Sequence, residues 1–446
     1  MPATVNSSLA KRTTDSDPRR LAFKVLLAVE TSGAFADAQL GRALNGARMD
    51  PRDRRLATLL VYGTLARQGT LDFTLAAYSK RPLENVDPDL LVLARMGLFQ
   101  IAFLDRVPAW AAVDSTVTLA RSANRHGAGF VNALLRRASD HGLAPVPTGR
   151  EGLAVELSHP RWLVDLWIDE LGEEQASALM KANNQPAPTV VRALGDRGRL
   201  VDELCERGIE AHASVYAPQA LVLPRAMDLP GLAMAQGEAS QLAVVLLDPQ
   251  AGQRVLDACA RPGGKSAYAA QLSGTRGRVV AVDPAAAAAA SIGRTLEAAG
   301  VDNVDVVRSA IEDFKSEQLF DRVLVDAPCS GLGTLRQHPE VRWRLDLRDI
   351  DDLARRQASI LKAAAGLLKS GGRLVYSTCT LSKGENDAVV DAFLAANPEF
   401  HQDPAAPPAP LADVMDKDGR MRSFPHTHNM DGFFAVRLIR NDNTTT

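Results

Sequence analysis

The sequence predicts a multidomain protein: an all-α N-terminal domain, a small α+β linking subdomain, and a C-terminal α/β domain on a doubly wound, Rossmann-like parallel sheet. Three observations carry this. From residue 18 to about residue 141, apolar residues recur at helical spacing, and Pro51, Pro82, Pro88 and Pro108 fall between the repeats. From about residue 253 onward, short apolar runs alternate with helical stretches, the pattern of strands linked by crossover helices. The length, 446 residues, corresponds to about three domains.

The elements follow in order. Helical periodicity marks residues 20–29, 54–66, 71–77, 90–104, 112–122 and 129–138, the last ending in Arg136 and Arg137, cations suited to a helix C-terminus. Residues 142–150 read as a linker by their Gly and Pro content. Helices are expected near residues 160–171 and 173–183, and a strand at 189–194. Candidate strands of the large sheet are residues 254–258, 278–282, 304–307, 322–325, 373–377 and 432–439. Residues 403–411, rich in Pro and Ala, read as a surface loop. The expected borders are a disordered tail over residues 1–17, then domains at 18–145, 151–240 and 241–440.

Composition excludes several classes. The 46% hydrophobic content is ample for packed cores. Four cysteines in such a length do not make a disulfide framework, and Cys205, Cys259, Cys329 and Cys379 lack the pairing of a zinc site. No apolar run approaches the roughly 20 residues needed to span a bilayer, and the polar N-terminus has no secretory apolar stretch. A cytoplasmic protein with free thiols, no metal and no membrane partner is expected. Charge nearly balances, with 51 Lys+Arg against 53 Asp+Glu. Residues 1–140 nevertheless hold 19 basic and 13 acidic residues, so a basic segment suited to a polyanion precedes an acidic remainder.

Residues Val255 to Ser266 run from a strand through a Gly-bearing turn into a helix, the place where open α/β sheets bind ligands. Neither Gly-x-x-x-x-Gly-Lys-Ser/Thr nor Gly-x-Gly-x-x-Gly is present. Asp283 ends the next strand, 26 residues after Asp257, where a carboxylate grips a ribose diol. It also suits an N-cap, with Pro284 at the first helical position and Ala285 to Ala290 as helix. Cys329 and Cys379 each lie just past a later strand, on the same edge of the sheet, with Ser330, Ser377 and Thr378 as neighbours. Cys205 is expected to be a small buried hydrophobe.

Three pieces, Cys259-Ala260-Arg261-Pro262-Gly263-Gly264-Lys265, Asp326-Ala327-Pro328-Cys329-Ser330-Gly331 and Ser377-Thr378-Cys379-Thr380, resemble motifs of the S-adenosylmethionine-dependent RNA cytosine-C5 methyltransferases. Further matches are His338-Pro339-Glu340 with Trp343, Ser158-His159-Pro160-Arg161-Trp162 and Asp431-Gly432-Phe433-Phe434. The N-terminal helices resemble the NusB-type RNA-binding domain at Leu60-Val61-Tyr62-Gly63, Arg95 to Gln100 and Phe130 to Arg136. A NusB-like domain joined to a class I methyltransferase domain resembles the Sun/Fmu/RsmB family, which methylates small-subunit (16S) ribosomal RNA. The resemblance spans roughly residues 18–440.

The resemblance implies a division of labour. Cys379 would be the nucleophile that adds to C6 of cytosine, since C5 is too poor a nucleophile unaided. Cys329 would assist product release, and Asp326 would hydrogen-bond the cytosine edge near N3 or border the cofactor. Lys265 or nearby arginines are candidates for stabilising a thiolate. Residues Cys259, Ala260, Arg261, Pro262, Gly263, Gly264 and Lys265 would wrap the methionine end of S-adenosylmethionine, and Asp283 its ribose. The usual adenine-side Asp falls at Ser309 in this chain, or at Ala310 with one insertion, leaving Glu312 or Asp313 as substitutes. Arg261 departs from the small residue usual in that turn; it either points outward or touches the methionine carboxylate or an RNA phosphate. Arg336, His338, Arg342, Trp343 and Arg344 form a basic-aromatic stretch that either contacts RNA or places Trp343 in a core.

The leading expectation is a 16S rRNA cytosine-C5 methyltransferase acting as a monomer on rRNA or an assembling small subunit. A tRNA substrate is the near alternative, against which the NusB-like helices argue. A nicotinamide dehydrogenase lacks its glycine fingerprint, and a non-catalytic antitermination-like RNA binder leaves both edge cysteines without purpose. Amino-group methyltransferases would carry Asn/Asp-Pro-Pro-aromatic where this chain has Asp326-Ala327-Pro328-Cys329.

Overall fold

A computed structural model describes residues 16–227 and 229–441. Most of the expected tail, residues 1–15, lies outside the described residues. The chain forms two compact units, one running to Met180 with Gln337–Trp343, the other comprising Lys181–Arg336 and the chain from Arg344. The segment 151–240 is divided between them, its N-terminal helices in the first and its sheet in the second.

The first unit is helical. Its helices are α1 (Pro18–Ser32), α2 (Ala36–Gly46), α3 (Pro51–Ala66), α4 (Gln68–Tyr78), α5 (Pro88–Phe103), α6 (Ala109–Ala123), α7 (Ala128–His141), α8 (Gly149–Glu156), α9 (Arg161–Leu171) and the start of α10 (Glu173–Asn183). Local chemistry sets the ends. Asp17 and Asp50 accept backbone N–H groups at the starts of α1 and α3, each followed by proline at the first helical position. Helix α5 is buried all round from Leu90 to Gln100 and forms the centre of the unit. The one guanidinium in that stretch, Arg95, is neutralised by both oxygens of Asp72 (2.6 and 2.8 Å) and by Glu30 (2.9 Å). Two helices escaped the periodicity: α2, which buries only Ala36 and Leu40, and α8, which begins inside the expected linker.

Residues 337–343 bear on the two readings left open for this stretch. Arg342 is fully buried and donates to the Ser158 carbonyl at 2.9 Å, and Glu340 accepts the Ala36 N–H at 3.0 Å. The Trp343 ring lies 2.6 Å from where a Cβ on Gly69 would stand. Arg342 and Glu340 are structural parts of the first unit, because burial and backbone partners already commit them, and the Trp343 ring packs against Gly69 of the same unit. Arg336, in the second unit, donates to Asn429.

The second unit begins with an antiparallel sheet of β1 (Thr189–Ala193), β2 (His212–Ala213), β3 (Ala220–Leu223) and β4 (Ala233–Ala235) in the order β2-β3-β1-β4, backed by α11 (Arg197–Glu206). Cys205, near the end of α11, is exposed rather than buried. After α12 (Glu238–Leu247) come β5 (Arg254–Asp257), α13 (Gly264–Ser273), β6 (Arg278–Val282), α14 (Ala288–Ala299), β7 (Val304–Val307), β8 (Phe320–Asp326), α15 (Leu347–Ala365), β9 (Leu368–Thr378), α16 (Asp387–Ala396), β10 (Phe400–Gln402), β11 (Met421–Ser423), α17 (Pro425–His428) and β12 (Phe433–Arg440).

The large sheet runs β10-β12-β9-β8-β5-β6-β7, with β11 paired to β12. Strands β5 to β9 are mutually parallel, whereas β12 enters antiparallel between β9 and β10. The sheet is therefore mixed, not purely parallel. Helices α15 and α16 bury apolar residues on one face, and α12 and α13 on the other. Sequence order reverses at β5, which lies between β6 and β8 and opens a crevice at the carboxyl ends of the strands. Helix α14 starts at Ala288, four residues later than the N-cap reading of Asp283, with Pro284 as first helical residue, requires. Its apolar face of Ala288, Ile292, Leu296 and Ala299 begins only there. Among the described residues no helix is long and apolar enough to cross a membrane.

Candidate active site

Strands β8 and β9 are parallel neighbours in a register that pairs Asp326 with Ser377. Their carboxyl ends are therefore level, and the turns that follow emerge side by side. This alignment brings Cys329 Sγ to 3.4 Å from Cys379 Sγ. Backbone bonds fasten the two turns: Ala327 N–H to Ser377 O and Gly333 N–H to Cys379 O, both 2.9 Å. Gly432, just before β12, donates to Gly333 O at 2.8 Å. A Cβ on Gly333 would stand 1.8 Å from Gly432 O, so this close approach admits only glycine.

Lys265, at the start of α13, reaches across to the same place. Its ammonium lies 2.6 Å from Asp326 Oδ2, while Asp326 Oδ1 accepts from Ser377 Oγ at 3.0 Å. Burial alone would pull Lys265 down, but the Asp326 carboxylate outweighs it and keeps the ammonium above the ordinary lysine value. The Cys329 thiol is held well above its usual value by its hydrogen bond with Cys379, by burial, and by the negative charges of Cys379 and Glu385. Burial and the carboxylates of Asp257, Asp326 and Asp283 likewise push Cys259 up, so the third cysteine on this edge stays a neutral thiol.

The turn after β5 is built as a cradle. Ala258 N–H bonds Leu324 O on β8 and Ala260 N–H bonds Val282 O on β6, so the turn crosses the tops of both neighbours. Gly263 takes φ +109°, reserved for glycine, and Gly264 opens α13 with its free N–H groups. Asp283, nearly buried, accepts the Ala285 N–H at 3.0 Å and faces the Arg261 N–H at 3.4 Å. The Arg261 side chain is half-exposed, with Nε 3.4 Å from Asp283 Oδ1. Ser309 lies just past β7, where its hydroxyl donates to Ala310 O at 2.8 Å. The carboxylate of this segment whose charge reaches Cys259 is Glu312. A glycine turn, a helix start and an acid on the adjoining strand fit a cofactor with a charged methionine end and a ribose. Among the described residues no group of three or more His, Cys, Asp or Glu forms a metal site.

Two features were not anticipated. Asp257 is buried with its Oδ2 accepting from Ser266 Oγ at 2.6 Å, and burial raises its carboxyl to about 6. Glu385, fully buried behind the cysteines, accepts from the Ser330 backbone and hydroxyl. A single sequence carries no mark distinguishing Glu385 from a solvated loop acid, because its burial depends on the distant β8 turn.

Sheet order, the glycine cradle after the first strand and the acid after the second define a class I methyltransferase, whose methyl donor is S-adenosylmethionine. Residues 244–439 match the family model described as 16S rRNA methyltransferase RsmB/F, residues 16–140 the NusB family, and residues 159–230 an RsmF/B-like, ferredoxin-like domain. The probable ribosomal RNA small subunit methyltransferase B of Bacillus subtilis is 35% identical, over 94% of this chain and 98% of its own. The ribosomal RNA small subunit methyltransferase B of Thermus thermophilus is 35% identical over 95% and 98%. The crystal structure of PH0851 superposes with a TM-score of 0.82 at 24% identity, covering 96% of this chain and 99% of that one, which shows the shared fold. A methyltransferase homologue from Pyrococcus horikoshii gives 0.57 at 27% identity, over 66% and 100%. The chain belongs to the ribosomal RNA small subunit methyltransferase B family.

Proposed function

We propose that this protein methylates C5 of a specific cytosine in 16S ribosomal RNA, with Cys379 as the covalent nucleophile. The observation that carries the reading is the pair of sulfurs 3.4 Å apart beside the Lys265–Asp326 ion pair, on the edge where the cofactor cradle ends. Two adjacent thiols without a metal-ligating group fit a nucleophile and its partner in release. The rRNA substrate is supported by the family description and the names of the relatives.

S-adenosylmethionine, when bound, supplies an electrophilic methyl group on a sulfonium. Residues 259–265 would hold its methionine end and Asp283 its ribose, and Ser309 or Glu312 would face the adenine. The Cys379 thiolate forms a bond to C6 of the unstacked cytosine, which moves the ring electrons to C5 and makes it nucleophilic. Asp326, fixed between Lys265 and Ser377, presents its carboxyl group to the cytosine edge near N3. After C5 accepts the methyl group, water takes the C5 proton, the C5–H electron pair closes the C5–C6 double bond, and the C6–S bond breaks with its pair returning to Cys379. Cys329, protonated and adjacent, donates its S–H proton to the departing thiolate and regains a proton from water. The basic N-terminal helices supply phosphate contacts.

Incubating undermethylated small-subunit rRNA with labelled S-adenosylmethionine tests this. Cys379→Ala is expected to transfer no label, and full activity in it would sink the mechanism. Cys329→Ala is expected to accumulate a covalent RNA–protein adduct on denaturing gels; without that adduct Cys329 has no release role. Unmethylated tRNA labelled in preference to rRNA would move the substrate assignment and leave the chemistry standing.

A further inference from the structure

Cys329 lies on a turn, and turns without regular hydrogen bonding need other anchors to hold a side chain at a fixed distance. Here, besides the backbone bonds at Ala327 and Gly333, the anchor is a buried carboxylate. Glu385 is fully buried on the turn after β9. Its Oε1 accepts from the Ser330 N–H at 2.8 Å and from Gln357 Nε2 at 2.9 Å, and its Oε2 accepts from the Ser330 hydroxyl at 2.6 Å. Gln357, from α15, also donates to the Pro328 carbonyl at 3.0 Å. Both residues flanking Cys329 are therefore held by Glu385 or by the amide bound to it. Ser330 Oγ in turn lies 2.7 Å from Thr380 Oγ1, beside Cys379, and the Tyr376 hydroxyl donates to the Glu385 carbonyl at 2.6 Å.

A buried carboxylate is tolerated only where donors fill it, and removing one partner of such a set costs far more than a surface contact. The side-chain donors to Glu385 all come from the Cys329 turn or from the glutamine bracing that turn. We propose that Glu385 is a positioning residue that holds the Cys329 thiol against Cys379 and thereby serves product release rather than bond formation. This rests on the roles proposed above for the two cysteines.

Charge placement agrees with the geometry. The Lys265 ammonium interacts with Cys379, whereas the Glu385 carboxylate bears on Cys329 and helps to hold it as a neutral thiol. Tyr376, which also feels Cys329, is itself pushed well up by burial, by Cys329 and by Glu385, and stays neutral.

The test uses the full chain, rRNA and labelled S-adenosylmethionine, reading steady-state turnover, first-turnover methylation and denaturation-resistant adduct. Glu385→Ala is expected to lower turnover about tenfold or more, leave first-turnover methylation within about threefold and KM for S-adenosylmethionine within about twofold, and accumulate adduct. The Cys329→Ala/Glu385→Ala double variant is expected to match Cys329→Ala within about twofold, since both losses strike one step. Glu385→Gln, which keeps the size and an acceptor for Ser330, is expected to restore most turnover. Should Glu385→Ala fail to fold, Ser330→Ala takes its place, with the same adduct expected. Equal loss of first and later turnovers without adduct overturns the role of Glu385 while Cys329→Ala still forms adduct. Losses that add in the double variant, or no rescue by Glu385→Gln, overturn it too. Activity retained in Cys379→Ala instead defeats the cysteine reading itself, a separate result.

Discussion

Asp257 shows how a residue can set the pH response of the fold without touching the reaction. It ends β5 beneath the cradle, buried, with Ser266 as its side-chain hydrogen-bond donor. Burial raises its carboxyl from 3.8 to about 6, so the folded protein binds this proton more tightly than the unfolded chain does. The stabilisation is complete below about pH 4 and is lost as pH rises through about 6. A shift of this size corresponds to about 3 kcal/mol. Asp257→Asn cannot ionise, so urea unfolding should show the variant gaining about 3 kcal/mol on the wild type between pH 4 and 7. A constant difference across that range would show that the carboxyl is not shifted. The residues proposed for the chemistry stand out at this scale because Cys, Asp and Gly at strand ends are few. Their spacing was not, since 3.4 Å between Cys329 and Cys379 follows from the Asp326–Ser377 register.

Several elements with a marked apolar pattern stand where the sequence places them, whereas the shortest strands do not show in it. Helix α5 and strands β6 and β7 stand where periodicity and valine runs place them. Strands β2, β4, β10 and β11 have two or three residues each, too few for an alternating pattern to register. The antiparallel entry of β12 was equally hidden, because strand direction is set by the route of the preceding chain and not by the strand's own residues. That route makes Gly333 the critical glycine of the site. It lies where the β8 turn, the β9 turn and the start of β12 meet, with Gly432 O and Cys379 O both within 3 Å of an added Cβ. Gly333→Ala collides with backbone and is expected to cost about 3 kcal/mol or more and to abolish methyl transfer. Gly331→Ala is the control. Its φ is +70° but its nearest neighbour is the Thr334 hydroxyl at 3.6 Å, so conformational strain of about 1 kcal/mol is expected. Equal unfolding midpoints for the two variants would rule out the close approach as the reason glycine is needed.

At the scale of the whole molecule, the near-neutral charge resolves differently from a basic guide joined to an acidic catalytic body. Residues 1–140 carry 19 basic and 13 acidic side chains, but residues 141–180, in the same compact unit, carry two basic and seven acidic ones. The first unit is therefore polarised within itself, and Arg150 and Arg161 are already paired with Asp165, Asp169 and Glu151. Phosphate binding then depends on where cations are exposed and not on the net charge of a unit, since counterion release follows the contacts actually made. Arg42, Arg48, Arg52 and Arg55 are exposed on α2, α3 and the turn between them. Replacing all four by Gln should flatten the dependence of log affinity for rRNA on log salt by up to about 3.6, at roughly 0.7–0.9 per lost phosphate contact. Replacing the exposed Arg207 and Arg276 of the second unit should leave that slope unchanged. If attraction came from overall charge, removing cations from either unit would weaken binding in proportion to their number, and the two sets of variants would differ only by that ratio. A slope lowered by the first set alone assigns the phosphate contacts to the α2–α3 surface.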